Sequence, residues 1–288
     1  MVETVRTLPA LRAALAGFKR ENRRVALVPT MGNLHDGHLG LVKMARRHAD
    51  VCITSIFVNP TQFGPGEDFD SYPRTLEADV EALAGVGCDL VWQPAIKTMY
   101  PLGESFMVRV PQNLAGQLCG RSRPGHFDGV ASVVLRLFSQ VQPDVAVFGE
   151  KDFQQLLIIR RMVQDLSLPV EIAGAPIART PDGLAMSSRN AYLTDAERRA
   201  APRLYAELSS TAQALAAGGD FELLKEAAWA RLAAAGFRPD YLEWRNARDL
   251  GEPADNLPAR LFVAAWLGRA RLIDNVPVAV SEVSGVPG

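Results

Sequence analysis

The sequence predicts an α/β chain, a parallel sheet with helices on both faces, followed by a smaller α+β domain. Three observations predict it. Through about residue 175, short apolar β-branched runs alternate with stretches of helical periodicity, the pattern of a parallel sheet covered on both sides. Two of those runs end in glycine-bearing turns that open helices, at 30–38 and 148–155. After 186–190 the alternation stops, and two helices followed by strands take over. The domain boundary expected from this change divides the chain into 1–177 and 178–288.

The elements follow in order. Thr7 reads as a helix cap with Pro9 in the first turn, and Leu8, Leu11, Leu15 and Phe18 recur at helical spacing. Residues 25–28 read as a buried strand, and 38–49 as a helix with Leu41, Val42, Ala45 and Ala49 on its apolar side. A second buried strand, 51–58, stops at Asn59-Pro60. The polar segment 59–75 carries Pro60, Gly64, Pro65, Gly66 and Pro73, and a loop of that length is more often functional than not. A helix over 75–85, a strand over 89–92, a helix over 126–141, a strand over 144–148, a helix over 152–166 and a strand starting at 170–172 complete the first domain. Helices over 195–217 and 220–235, strands over 241–245 and 261–266 and an apolar stretch over 270–273 make up the second. Residues 283–288 are expected to fray.

Composition excludes several classes. With 31 basic against 32 acidic residues, the chain lacks the positive excess of a nucleic-acid binder. No uncharged apolar run reaches membrane-spanning length, and the opening residues lack signal-peptide features. Cys52, Cys88 and Cys119 are odd in number and lack CxxC spacing, which fits core thiols in a reducing compartment. A cytoplasmic protein is the expectation.

On such sheets ligands sit beyond the carboxyl ends of the strands, so the turns there carry the chemistry. His35 and His38 stand three residues apart where 25–28 gives way to a helix. Alone, the pair allows a helix-start histidine, a surface histidine or a metal site, and a metal needs a third ligand that no partner motif supplies. Gly32 and Gly37 allow close approach of the backbone, and a helix N-terminus suits phosphate. Lys151 sits at the second strand-to-helix turn, on the same edge, beside Asp152, which alone reads as a cap. Ser187, Ser188 and Arg189 combine hydroxyls with a guanidinium that matches phosphate oxygens; the alternative is a linker capped at Ser188. Asn59 and Gln62 offer amides to a polar small molecule or to their own turn. Arg123 and His126 read as loop and cap residues, with anion contact as the alternative. A nucleophile elbow, a Walker loop and GxGxxG are all missing. Several cationic and N–H elements with no protein nucleophile fit displacement at phosphorus.

The stretches PTMGNLHDGH, FVNPTQFG, YPRT, RPGHFDGV, VFGEKDFQQL and GLAMSSRN, in that order across 29–190, resemble the pantoate–β-alanine ligase (pantothenate synthetase) family of the HxGH nucleotidyltransferase superfamily. The resemblance implies a Rossmann-like first domain and a C-terminal lid domain. It implies Mg-ATP, pantoate and β-alanine as substrates, a pantoyl-adenylate intermediate, release of AMP and pyrophosphate, and a homodimer. It places His35, His38 and Lys151 on the triphosphate as charge stabilisers. Met31, Gly149, Asp152, Ser187, Ser188 and Arg189 join His38 and Lys151 around ATP. Pro29, Gln62, Val133, Val134, Phe148 and Gln155 fall to pantoate, and Tyr72 to a loop that covers the site. No protein ligand for Mg2+ is implied. Thr61 departs from the larger apolar residue common in the family, which bears on loop packing. A nucleotidyltransferase that keeps the nucleotide on its product, and a nucleotide-sensing module without turnover, are the alternatives.

Overall fold

Strand β2 (Val25–Thr30) is buried along nearly its whole length. In the computed structural model, which describes residues 2–103 and 105–279, it lies inside a six-stranded parallel sheet of order β1-β4-β3-β2-β5-β6. The other strands are β1 (Glu3–Val5), β3 (Val51–Ile56), β4 (Leu90–Trp92), β5 (Val145–Gly149) and β6 (Glu171–Ala175). The helices of this part are α1 (Leu8–Arg20), α2 (Asp36–His48), α3 (Leu76–Gly85), the short α4 (Ile96–Met99), α5 (Gln112–Ala115) and α6 (Leu118–Ser122), then α7 (His126–Val141) and α8 (Phe153–Asp165). The tail expected to fray, 283–288, lies outside the described residues.

The chain divides into two units, Met1–Gly116 with Gly120–Ala178, and Gln117–Cys119 with the chain from Arg179 onward. In the first unit the sheet has two apolar faces, because successive side chains of a strand point to opposite sides. Ala26, Val28, Cys52, Val91, Val145 and Val147 share one face with Val42 and Ala45 of α2 and Leu83 of α3. The buried residues of α1, α7 and α8 serve the other face, with Leu27, Ala146 and Phe148 between them. Strands so enclosed read as continuous apolar runs, which is why they are legible.

Strand order reverses between β2 and β5: the chain leaves β2 toward β3 and leaves β5 toward β6. The loops after the two strands diverge and leave a crevice at their carboxyl ends, the switch point where ligands of open α/β sheets bind.

The second unit has α9 (Asp195–Ala200), α10 (Arg203–Ala216) and α11 (Phe221–Ala234) with an antiparallel sheet β7 (Arg238–Asn246), β8 (Ala259–Leu267) and β9 (Ala270–Val278), β8 in the middle. Leu204, Leu208 and Leu215 of α10, Leu232 of α11 and Leu242, Leu261, Val263 and Leu272 of the strands form its core.

Four local differences from the expectation have physical causes. Helix α2 opens at Asp36, with His35 as its cap, so it begins before His38. The helix expected over 195–217 is two helices, α9 and α10, because Pro202 lacks the N–H that a continuous helix needs. The apolar stretch at 270–273 is the start of a nine-residue strand; it alternates in burial only over those four residues, and the buried polar pair Asp274 and Asn275 then breaks the apolar pattern. Strand β1, which pairs Glu3 with Leu90 and Val5 with Trp92, is too short to show a period. Among the described residues no helix is long and apolar enough to cross a membrane.

Candidate active site

The loop after β2 is built to hold two imidazoles. Thr30 closes the strand, donating its hydroxyl to the Ser55 carbonyl at 2.7 Å. Gly32 (φ 84) and Asn33 (φ 51) then turn the chain in the left-handed region. At position 32 a Cβ would stand 3.1 Å from the Asp79 carboxylate, so glycine suits both the φ and the space. Asp79, buried on α3, takes the loop in both oxygens: Oδ2 accepts from the Asn33 amide at 2.9 Å and Oδ1 from the Leu34 amide at 2.8 Å. The Thr75 hydroxyl adds a third bond to Oδ1 at 3.2 Å. Asp79 escaped the sequence reading, because an acid in a helical pattern 46 residues away carries no local sign of such a task.

His35 caps α2, its Nδ1 accepting from the Gly37 amide at 3.1 Å. The His35 amide in turn points to Nδ1 of His38 at 3.4 Å, and the ring centroids are 4.1 Å apart. A backbone amide can only donate, so Nδ1 of each ring is the acceptor and each neutral ring carries its proton on Nε2. Burial, with Lys151 as a second cause, lowers the His35 pKa. Burial, then His35 and Lys151, takes that of His38 down to about 3. Both are therefore neutral N–H donors at neutral pH, and the formal positive charge comes from the lysine.

Lys151 stands in a 3-10 turn, Glu150–Asp152, between β5 and α8. Its ammonium is 3.9 Å from Asp152 Oδ2. Asp152 occupies the cap position of α8, but its carboxylate makes no capping bond, which corrects the structural role expected for it. It counteracts Lys151 at both histidines, raising their pKa. The two turns on either side of the switch point thus share one electrostatic environment. Gly149 ends β5 with room for a side chain, its nearest neighbour being Leu41 at 3.9 Å.

The segment after β3 meets the same edge. Pro60–Gln62 forms a 3-10 turn capped by Asn59. The Gln62 side chain is held at both ends, its Oε1 accepting from Asn59 Nδ2 at 3.1 Å and its Nε2 reaching Met31 Sδ at 3.3 Å. Asn59 is buried and also accepts from the Tyr100 hydroxyl at 2.6 Å. Thr61 joins it, with Oγ1 3.1 Å from Asn59 Oδ1 and 3.2 Å from the Tyr100 oxygen, so the loop is tied at this position by polar contacts. At Gly129 of α7 a Cβ would overlap the Thr61 carbonyl, which lets the turn and the helix meet backbone to backbone. Val133 and Val134 are buried on α7, and Phe148 on β5 packs 6.5 Å from the Phe138 ring. Pro29 lies on β2 and Gln155 on α8, both half-buried. Tyr72 is buried, its ring edge-on to Phe63 at 6.1 Å.

In the second unit the cap of the Ser188–Tyr192 turn is Ser187, whose Oγ accepts from the Arg189 amide at 3.3 Å; the cap expected at Ser188 falls one residue earlier. Among the described residues no three His, Cys, Asp or Glu side chains are grouped to hold a metal ion.

A family profile described as pantoate-beta-alanine ligase matches residues 3–277. A pantothenate synthetase of Pseudomonas savastanoi pv. phaseolicola is 53% identical over 279 residues, covering 96% of this chain and 98% of that protein. One from Pseudomonas putida (strain GB-1) is 54% identical over 286 residues, covering 98% and 99%. Among solved structures, a pantoate-beta-alanine ligase (pantothenate synthetase) from Thermus thermophilus matches with a TM-score of 0.90 at 47% identity, over 96% of this chain and 99% of that one. The pantoate-beta-alanine ligase of Francisella tularensis, complexed with beta-gamma ATP and beta-alanine, matches with a TM-score of 0.82 at 33% identity, over 96% and 97%.

Proposed function

The chain belongs to the pantoate–β-alanine ligase family, and from that premise we propose how its own residues carry the reaction. It is an enzyme that condenses pantoate with β-alanine at the expense of ATP. In the first step a pantoate carboxylate oxygen bonds to the α-phosphorus and the bond to pyrophosphate breaks. In the second, the β-alanine amine attacks the acyl carbon, AMP leaves with the carboxylate-derived oxygen, and the nitrogen loses a proton.

A carboxylate is already a nucleophile, so the first step asks the protein for donors around phosphorus. The observation that carries the reading is the pairing of two neutral Nε2–H imidazoles with the Lys151 ammonium across the switch point. His35 and His38 supply dipoles whose protons stay in place as charge builds, and Lys151 supplies the charge. Asp152, Gly149 and Met31 belong to the ATP subsite; Ser187, Ser188 and Arg189 offer two hydroxyls and a guanidinium of the kind that suits phosphate oxygens. Gln62 and Gln155 bind the oxygens of pantoate, and Pro29, Val133, Val134 and Phe148 its dimethyl carbon. The buried Tyr72 helps order the segment that covers the site, since an acyl adenylate must be kept from water. Magnesium enters with ATP.

The test is ATP–pyrophosphate exchange with pantoate present and β-alanine absent. Exchange that requires pantoate is expected; its absence would overturn the adenylate route.

A homodimer is part of the same reading. Leu102 and Phe106 are 89% and 98% exposed, with Met107 also exposed beside them. Three large apolar side chains on one segment favour cover by a second copy. Sedimentation should give twice the chain mass, and substituting Leu102 and Phe106 by serine should return it toward one. The buried thiols Cys52 and Cys88 support a reducing, cytoplasmic location.

A further inference from the structure

One polar cluster of the first unit lies outside the roles above. Arg123 forks onto Glu67, Nε to Oε1 at 2.7 Å and Nη2 to Oε2 at 2.6 Å. The same guanidinium reaches His126 Nε2 with Nη1 at 2.9 Å and the Gln62 carbonyl with Nη2 at 3.4 Å. His126 Nδ1 is 2.8 Å from that carbonyl.

The partners dictate the protons. A carbonyl only accepts, so Nδ1 of His126 carries the hydrogen. A guanidinium only donates, so Nε2 presents its lone pair. The imidazole is neutral and fixed in one tautomer. Its environment agrees: burial and the neighbouring Arg123 lower its pKa to about 4. Burial works against the Glu67 charge, yet the Arg123 fork outweighs it and holds that carboxyl below its usual range.

The hydrogen bonds just described join this cluster to the substrate region at Gln62. Its main chain is gripped by His126 and Arg123, and its side chain by Asn59 and Met31. Gly125 (φ 80), just before α7, makes the turn that puts His126 at the helix start. Such a start would ordinarily leave its polar atoms to solvent, whereas here they face a loop more than sixty residues away in sequence.

We propose that Glu67, Arg123 and His126 form a positioning clamp: a forked guanidinium and a neutral imidazole hold the Gln62 carbonyl, and through it set the Gln62 amide for pantoate. None of the three is a catalytic residue. The inference rests on Gln62 being a pantoate ligand.

The experiment measures KM for pantoate and for ATP in pyrophosphate exchange, with thermal unfolding as the fold control. His126→Phe keeps the bulk and removes both ring nitrogens; pantoate KM should rise at least ~10-fold, the scale of a buried acceptor left without its donor. ATP KM should stay within about two-fold, since a uniform binding change is not expected for a residue acting on one subsite. His126→Asn places an N–H near the Nδ1 position and should recover most of the loss. In the Gln62→Ala background His126→Phe should add nothing, as required of residues that act in series. If His126→Phe does not fold, Glu67→Gln loosens the fork from an accessible position and should raise pantoate KM alone, by less. Equal rises in both KM values, an unchanged pantoate KM, no recovery with Asn, or additivity with Gln62→Ala would overturn the clamp. If Gln62→Ala itself leaves pantoate KM unchanged, the pantoate assignment falls and the clamp with it. If only the His126 and Glu67 variants are silent, the assignment stands and the clamp alone falls.

Discussion

The imidazole of His35 occupies the space that a side chain at position 37 would need: a Cβ on Gly37 would stand 2.8 Å from its Cε1 and 2.9 Å from its Nδ1. Position 37 lies in the first turn of α2, where alanine ordinarily favours a helix over glycine by about 1 kcal/mol. Helix propensity and site geometry therefore pull in opposite directions. Gly37→Ala should leave the melting temperature unchanged or slightly raised while pantoate-dependent exchange falls ~10²-fold, the cost of misplacing one donor. A variant with wild-type exchange would show that the His35 ring need not stay where it is.

Lys151 differs from the histidines in being the charged member of the group. Lys151→Ala should reduce the adenylation rate at least ~10²-fold, and His38→Ala by a similar factor, if each removes one of the donors proposed to act at phosphorus. Their pH responses should separate them. Burial and the neighbouring Lys151 take the His38 pKa down to about 3, so removing Lys151 should raise it, an effect visible in the imidazole NMR titration. Failure of that pKa to move would place the lysine outside the group.

The sequence carried five of the six strands of the enclosed sheet, all but β1, and both chemical turns, because burial on two faces and strand-to-helix switches leave local marks. Helix α7 begins at His126 and ends at Val141, as its apolar spacing indicates. What escaped is long-range polar pairing. Asp79 meets Asn33 and Leu34, and Glu67 meets Arg123 from 56 residues away. Each looks like an ordinary surface charge within its own window, since the partner is chosen by the fold. The break at Pro202 is the opposite case: its signal was present, and a continuous helical pattern around it masked a residue that cannot donate.

Asp79 is the positioning carboxylate of the histidine loop, and its two oxygens serve two successive amides. Asn can accept only one of these bonds and turns an NH2 toward the other donor. Asp79→Asn should therefore cost about 1–3 kcal/mol, the usual penalty of leaving a buried donor without its acceptor. The melting temperature should drop by several degrees. Exchange measured far below that temperature should still be reduced, because the loop that carries His35 is released. A stable variant with full exchange would show that Gly32 and Asn33 hold the turn unaided.

Acid should weaken the fold in a window set by the histidines. His35, His38 and His126 all have a lowered pKa in the folded chain, burial being the largest cause in each. Unfolded histidine titrates near 6.5, so above that pH neither state is protonated and the three contribute no pH dependence. Below it the unfolded chain binds protons that the fold refuses, and stability falls until His126 titrates at about 4 and His38 at about 3. Glu67 and Asp182, whose carboxyls are depressed, lose their contribution only as pH falls below their unfolded values of 4.5 and 3.8, so the interval from 6.5 to 4.5 isolates the imidazoles. The melting temperature should decline across that interval, and His126→Asn should flatten the decline because one refused proton is gone. Pantoate-dependent exchange should show no limb near 6.5 from His38. A flat stability profile, or a His38 resonance titrating near 6.5, would mean the rings are solvated and charged, and the neutral N–H donors assigned at the switch point would have to be withdrawn.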